Sequence, residues 1–155
     1  MVKGDSSSKT MSFIIESLAS DTKPQGPVEI LSLTWEERCK PRQRFFTDQG
    51  TEIAFSFPRG TIFKDGDVIY NSPEKMIVIQ AQEEAVLVIH SQDTNQLCMV
   101  AYHLGNWHRS GQLLPNDILL AQADSPLEEW LKHRNIPYQV EQKPYHPNLR
   151  GTAHE

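Results

Sequence analysis

Histidine carries most of the chemistry on offer in this chain. Six are present, at positions 90, 103, 108, 133, 146 and 154, and neutral imidazole is a good ligand for Ni(II), Cu(II) and Zn(II). The two nearest in sequence are His103 and His108. On a helix, at ~100° per residue, they would point about 140° away from one another. They cannot share one ion from a single helix face, as an i, i+4 pair does. His108 comes just after Gly105-Asn106, two residues that tolerate a left-handed helix stop. Its ring is expected to face outward from a fixed point beside Trp107, which makes it the ligand candidate. His103 is expected to be a partly buried helix histidine with a hydrogen-bond partner. One exposed imidazole is only one ligand, so others must come from another chain or another segment. His146 and His154, near the C-terminus, are the histidines placed to supply them.

A second constellation is cationic. Arg38, Lys40, Arg42 and Arg44 fall at strict two-residue spacing, and an extended chain would put all four on one face. Pro41 inside the run makes it an edge strand or a bulge. Charge that guards a sheet edge explains the pattern without any function. A contact surface for a partner protein or peptide explains it with one. Catalytic sets are missing: there is no Gly-rich phosphate loop, no HExxH and no nucleophile elbow. The carboxylate pairs Glu36-Glu37, Glu83-Glu84 and Glu128-Glu129 are sequence neighbours, each explained by a helix start or a solvated surface. The chain is expected not to be an enzyme.

The elements that must position these residues fall into two groups. Residues 1–82 read as a small all-β domain, one barrel or sandwich, behind a polar, serine-rich N-terminal extension. Leu31, Leu33 and Trp35 alternate with polar residues, and Ile53, Phe55 and Phe57 alternate with the small Ala54 and Ser56, the pattern of half-buried strands. Lys64-Asp65-Gly66-Asp67 is a hairpin signal between Ile62-Phe63 and Val68-Ile69. Residues 83–142 change grammar. The apolar run Ala85–Ile89 suits a central strand. Asp93 and Gln96 then start a helix with an apolar stripe at Leu97, Val100, Ala101 and Leu104. Two strands follow around Pro115-Asn116, then a helix with Ser125 as N-cap and Pro126 in its first turn, then a strand over residues 137–140. The order β-α-β-β-α-β is ferredoxin-like. Residues 143–155 contain two prolines, a glycine and two histidines, and read as a flexible tail. The fold class is therefore α+β.

Composition excludes several classes. A net charge of -5 argues against a general nucleic-acid binder. No apolar run approaches the ~18–20 residues of a membrane span, and no signal-peptide core stands at the N-terminus. Cys39 and Cys98 have no CxxC spacing, so neither a disulfide framework nor a zinc knuckle is suggested. A cytoplasmic location is expected. Domains this small bury little surface each, so dimerisation is expected to help stabilise at least one.

Three separated stretches carry a family resemblance: LTWEERCKPRQRFFTDQGTEIAF, PRGTIFKDGDVI and AYHLGNWH, in that order. Together they resemble the UreE family of urease accessory proteins, which are nickel metallochaperones. The resemblance runs from about Leu31 to the tail. It implies a β N-terminal domain, a ferredoxin-like C-terminal domain, a homodimer formed through the latter, and Ni(II) as cargo. Zn(II) or Cu(II) would suit the same ligands. The implied partners are the urease accessory GTPase and the urease apoprotein in an assembly complex. The family's interfacial ligand is the last histidine of a Gly-Asn-Arg-His motif, which falls on His108, with Trp107 in place of the arginine. A further histidine pair of the family falls on Ala123 and Ser125, so those sites are expected to be absent. His154 and His146 are the tail candidates. The competing expectation is a protein-interaction adaptor without specific metal binding, built on the 38–44 cations.

Overall fold

Alternating apolar residues can bury one sheet face only if a second layer covers it, and both halves of this chain solve that problem separately. The computed structural model describes residues 13–150. The chain divides into two units, Met1–Ala81 and Gln82–Glu155.

The first unit has strands β1 (Phe13–Ile15), β2 (Val28–Leu33), β3 (Arg44–Phe46), β4 (Glu52–Phe55), β5 (Val68–Asn71) and β6 (Met76–Ala81), with one short helix, α1 (Trp35–Arg38). They form two three-stranded sheets, ordered β1-β4-β3 and β2-β6-β5. Each contains one parallel and one antiparallel pair. Leu31, Leu33, Ile53, Phe55, Ile77 and Ile79 are buried in one core. Phe55 packs there against Phe45, Phe57 and Phe63, with ring centroids 4.6–5.4 Å apart. The Asp65-Gly66 turn forms, with Asp67 N donating to Lys64 O at 3.1 Å. Only its second arm becomes a strand, and that strand pairs with β6 rather than with Ile62-Phe63.

The cationic stripe is not an extended face. Trp35 starts a helix instead of continuing β2, because the Thr34 side chain accepts from Glu37 N and caps it. Arg38 therefore lies on α1, only 2% exposed, with its guanidinium 5.4 Å from the Trp35 ring centroid. Lys40 pairs with Glu36 at 3.7 Å, and Arg44 pairs across the sheet with Glu52 at 3.2 Å. A two-residue spacing puts side chains on one face only while the backbone stays extended, and a helical turn intervenes here. Lys40, Arg42 and Arg44 are exposed; Arg38 is not part of that surface.

The second unit has β7 (Glu83–His90), α2 (Thr94–Asn106), β8 (Gln112–Leu114), β9 (Ile118–Gln122), α3 (Ser125–His133) and β10 (Tyr138–Pro144). The sheet order is β10-β7-β9-β8, every neighbouring pair antiparallel. That is the ferredoxin-like arrangement, with β7 and β9 central. Leu87, Ile89, Leu119 and Ala121 pack against Val100 and Leu104 of α2 and Leu127 and Leu131 of α3. The cap of α3 is Asp124, one residue earlier than expected, its side chain accepting from Leu127 N at 2.7 Å.

The last strand runs to Pro144, and the chain stays packed beyond it. Tyr145 is fully buried, with its hydroxyl 2.9 Å from Ser110 Oγ. Burial pushes the phenol up to about 12, aided by the Glu84 charge and opposed by the Ser110 hydrogen bond. Asn148 bonds both N and O of Leu113 through its side chain, and Gly111 and Leu149 form a two-way bridge. The expected tail therefore does not begin at Lys143. A buried aromatic anchors 143–150, and residues 151–155, with His154, lie outside the described residues.

In the first unit, one carboxylate ties three segments together. Glu29, nearly buried on β2, accepts from the Thr47 and Thr51 hydroxyls and from Lys75 Nζ, at 2.9–3.1 Å. Burial alone would raise its pKa, but these three donors outweigh it and hold the carboxyl below its usual value. Glu29→Ala should lower unfolding stability by about 2–3 kcal/mol in urea titrations. Because the folded pKa is depressed, Glu29's charge contribution is present above the ordinary carboxylate pKa and fades as pH falls through the folded value.

Candidate metal centre

The end of α2 decides how His108 is presented. Asp93 caps the start, its side chain accepting from Asn95 N at 2.9 Å. Gln96 does not reach back to the cap; its side-chain oxygen accepts from the Ser91 hydroxyl at 2.7 Å, and Ser91 Oγ accepts from Asp93 N. Val100 and Leu104 are buried and Leu97 packs beside them. Ala101, expected on that stripe, is exposed, since the buried line follows 97, 100 and 104.

Gly105 and Asn106 do not stop the helix; both lie within it. The left-handed residue is His108, with φ at 55°. Its N–H donates to Gly105 O at 3.0 Å, while Arg109 N–H donates to Leu104 O at 2.8 Å. This pair of bonds is a Schellman cap, whose left-handed position is usually glycine. At the end of α3 the same motif has Asn135 there, φ 52°, with Ile136 N bonded to Leu131 O and Asn135 N to Lys132 O. Asparagine is a common occupant. Histidine also reaches this region more readily than most residues, but a Cβ there carries a steric cost that glycine avoids.

The residues around His108 form a run of stacked groups. The His103 ring lies 3.9 Å from Trp130, nearly parallel at 10°, and 3.9 Å from Trp107 at 53°. Arg109 sits over Trp107, with Cζ 4.8 Å from the ring centroid, and Arg134 sits over Trp130 at 4.7 Å. Arg109 also pairs with the Asp124 carboxylate that caps α3. His103 differs from its expected form: its buried Nε2 has no hydrogen-bond partner among the described residues, and aromatic faces surround the ring instead. Burial first, then the Arg134 and Arg109 charges, push its pKa below the usual histidine value, which favours the neutral ring. The sequence places Trp130 on the apolar side of the second helix and Arg134 among the cations at its end, but nothing in its spacing joins either, or Asp124, to His108. The signals available were a tryptophan just after one helix and another inside the next, with an aspartate one residue before Ser125.

His108 is exposed at this helix end. His146 is also exposed, its backbone N–H donating to the Gln112 side chain at 3.0 Å, and His154 lies outside the described residues. Among the described residues of one chain, no three His, Cys, Asp or Glu side chains gather closely enough to hold a metal. No helix among them is long and apolar enough to cross a membrane. The cap geometry carries its own test, independent of metal. His108→Gly should be more stable than His108→Ala by ~1 kcal/mol in chemical denaturation, because only glycine relaxes at a positive φ.

Comparison with known proteins places this geometry in a family. The family model for the UreE urease accessory protein N-terminal domain matches residues 12–82, and that for the C-terminal domain matches 84–155. The urease accessory protein UreE of a Nostoc species is 36% identical over 125 residues, covering 80% of this chain and 84% of its own. That of Microcystis aeruginosa is 34% identical over 136 residues, 88% and 85% respectively. That of Burkholderia thailandensis is 35% identical over 121 residues, 74% of this chain and 57% of its own. With both halves matched in order, the chain belongs to the UreE family of urease accessory proteins.

Proposed function

We propose that this chain is a urease accessory metallochaperone that captures Ni(II) with His108 at a homodimer interface and hands it to the urease assembly complex. The relatives' own name, urease accessory protein, supports the role in urease maturation. One observation carries the ligand assignment: an exposed imidazole occupies a left-handed helix terminus where glycine would be the less strained choice. Strain retained at an exposed residue is a reason to look for function there.

A two-fold axis beside His108 would bring together two imidazoles from one residue type. The outward side of α2 suits such an axis. Met99 and Tyr102 are 45% and 77% exposed, with Cys98, Ala101 and Gly105 exposed around them. Apolar surface flanked by small residues lets two helices approach closely. A site with few protein ligands and open positions releases its ion more readily than a closed four-ligand site, as a carrier requires. His146 and His154 are the candidates to complete the shell, and Zn(II) or Cu(II) would compete for the same nitrogens. Protein partners in this reading are a second copy, the urease accessory GTPase and the urease apoprotein. The chain performs no catalysis, engages neither nucleic acid nor membrane, and works in the cytoplasm. Lys40, Arg42 and Arg44 form the proposed partner surface, without Arg38.

Calorimetric nickel titration with mass measurement of the dimer tests the central claim. His108→Ala should abolish tight binding of one ion per dimer while fold and dimer persist, because an exposed ring leaves no core cavity when truncated. Tight nickel binding by a folded His108→Ala dimer would sink it. In the wild type, apparent affinity should fall between about pH 7.5 and 5.5, since protons compete for neutral imidazole. Reversing Arg42 and Arg44 to glutamate should weaken pull-down of the assembly machinery and leave nickel affinity intact. Absence of any specific nickel binding in the wild type would leave the adaptor as the better account.

A further inference from the structure

The residues on either side of His108 are held by contacts of their own. Before it, Trp107 lays its ring against His103, which is stacked on Trp130 of α3. After it, Arg109 covers the Trp107 ring and pairs with Asp124, the cap of α3. The two flanks therefore close on each other, through Trp107 and Arg109, and both are fastened to α3. Between them stands a single residue with φ at 55° and an exposed side chain. A non-glycine residue keeps such a backbone only where its surroundings over-determine it.

We infer that Trp107 and Arg109, backed by His103 and Asp124, form a clamp that fixes the His108 backbone before metal arrives. In this role they are positioning residues for metal capture. The inference rests on His108 being the ligand proposed above. Its physical basis is preorganisation. A ligand on a mobile three-residue segment must lose backbone freedom when it binds, and that loss subtracts from affinity. A ligand already fixed does not. The clamp makes no contact with the ion, so its effect appears in affinity and in backbone mobility before metal is added.

The test uses the full-length protein and nickel alone as probe. Trp107→Leu keeps apolar bulk but removes the ring face, and Trp107→Phe restores a ring. Asp124→Asn still caps α3 but removes the charge opposite Arg109. Support for a ligand residue by its neighbours is typically worth about 10–100-fold in metal affinity. Trp107→Leu and Asp124→Asn should each weaken nickel binding by about tenfold, with Trp107→Phe close to wild type. Backbone amide relaxation of the metal-free protein should show residue 108 more mobile in Trp107→Leu and near wild type in Trp107→Phe. A purely structural role would lower the melting temperature without that selective mobility or its rescue by phenylalanine. Wild-type nickel affinity in folded Trp107→Leu and Asp124→Asn, alongside loss of binding in His108→Ala, would overturn the clamp and leave the ligand assignment standing. Wild-type affinity in His108→Ala would overturn the ligand assignment and the clamp with it. Should Trp107→Leu fail to fold, Asp124→Asn and Arg109→Gln decide the matter by the same affinity criterion.

Discussion

A left-handed backbone at a residue with a Cβ is the constraint on which the junction of α2 and α3 in the second unit depends. The two bonds of the Schellman cap turn the chain sharply out of α2. That turn sends Arg109 back toward α3 and leaves the His108 ring in solvent. Had the left-handed position fallen two or three residues earlier, on Asn106 or Gly105, an asparagine or glycine would have absorbed the turn, and His108 would be an ordinary loop residue. Instead the histidine occupies the turn itself. Its direction is set by main-chain geometry rather than by a long flexible side chain.

The two units bury polar chemistry in different ways. In the first, Glu29 is charged and nearly buried, and every contact around it is a donor: two hydroxyls and an ammonium. In the second, burial biases His103 toward its neutral form, and aromatic rings pack against it. The first arrangement ties the strand β2 to loops distant in sequence. The second joins α2 to α3 through ring faces, which tolerate small sliding better than a directional hydrogen bond does.

Much of the architecture was legible in the sequence because it rests on periodicity. The apolar run at Ala85–Ile89 became the central strand β7, and the order of strands and helices after it gave the ferredoxin-like sheet. What escaped was local and competitive. Thr34 and Glu37 have the spacing of a capping box, and that four-residue helix removed Arg38 from a stripe that alternation alone had suggested. Glycine and asparagine at 105–106 looked like the helix stop because their propensity is stronger than histidine's. The bonds from His108 and Arg109 overruled propensity by two residues. Residues 143–150 were read as tail from proline and glycine content, which says nothing about whether one aromatic, here Tyr145, finds a buried place. His108 was legible as a candidate by its position and by resemblance. The stack that surrounds it was not, because it joins residues 103, 107, 109, 124, 130 and 134 that no single period relates.

The anchoring of 143–150 makes those residues a wall of the surface beside α2. Leu149 is fastened to Gly111, and Arg150 lies in a groove with Ala101, Leu104 and Gly105 of α2. That groove therefore has one side of helix and one of irregular chain, and the second keeps its shape only while the Tyr145 phenol stays buried.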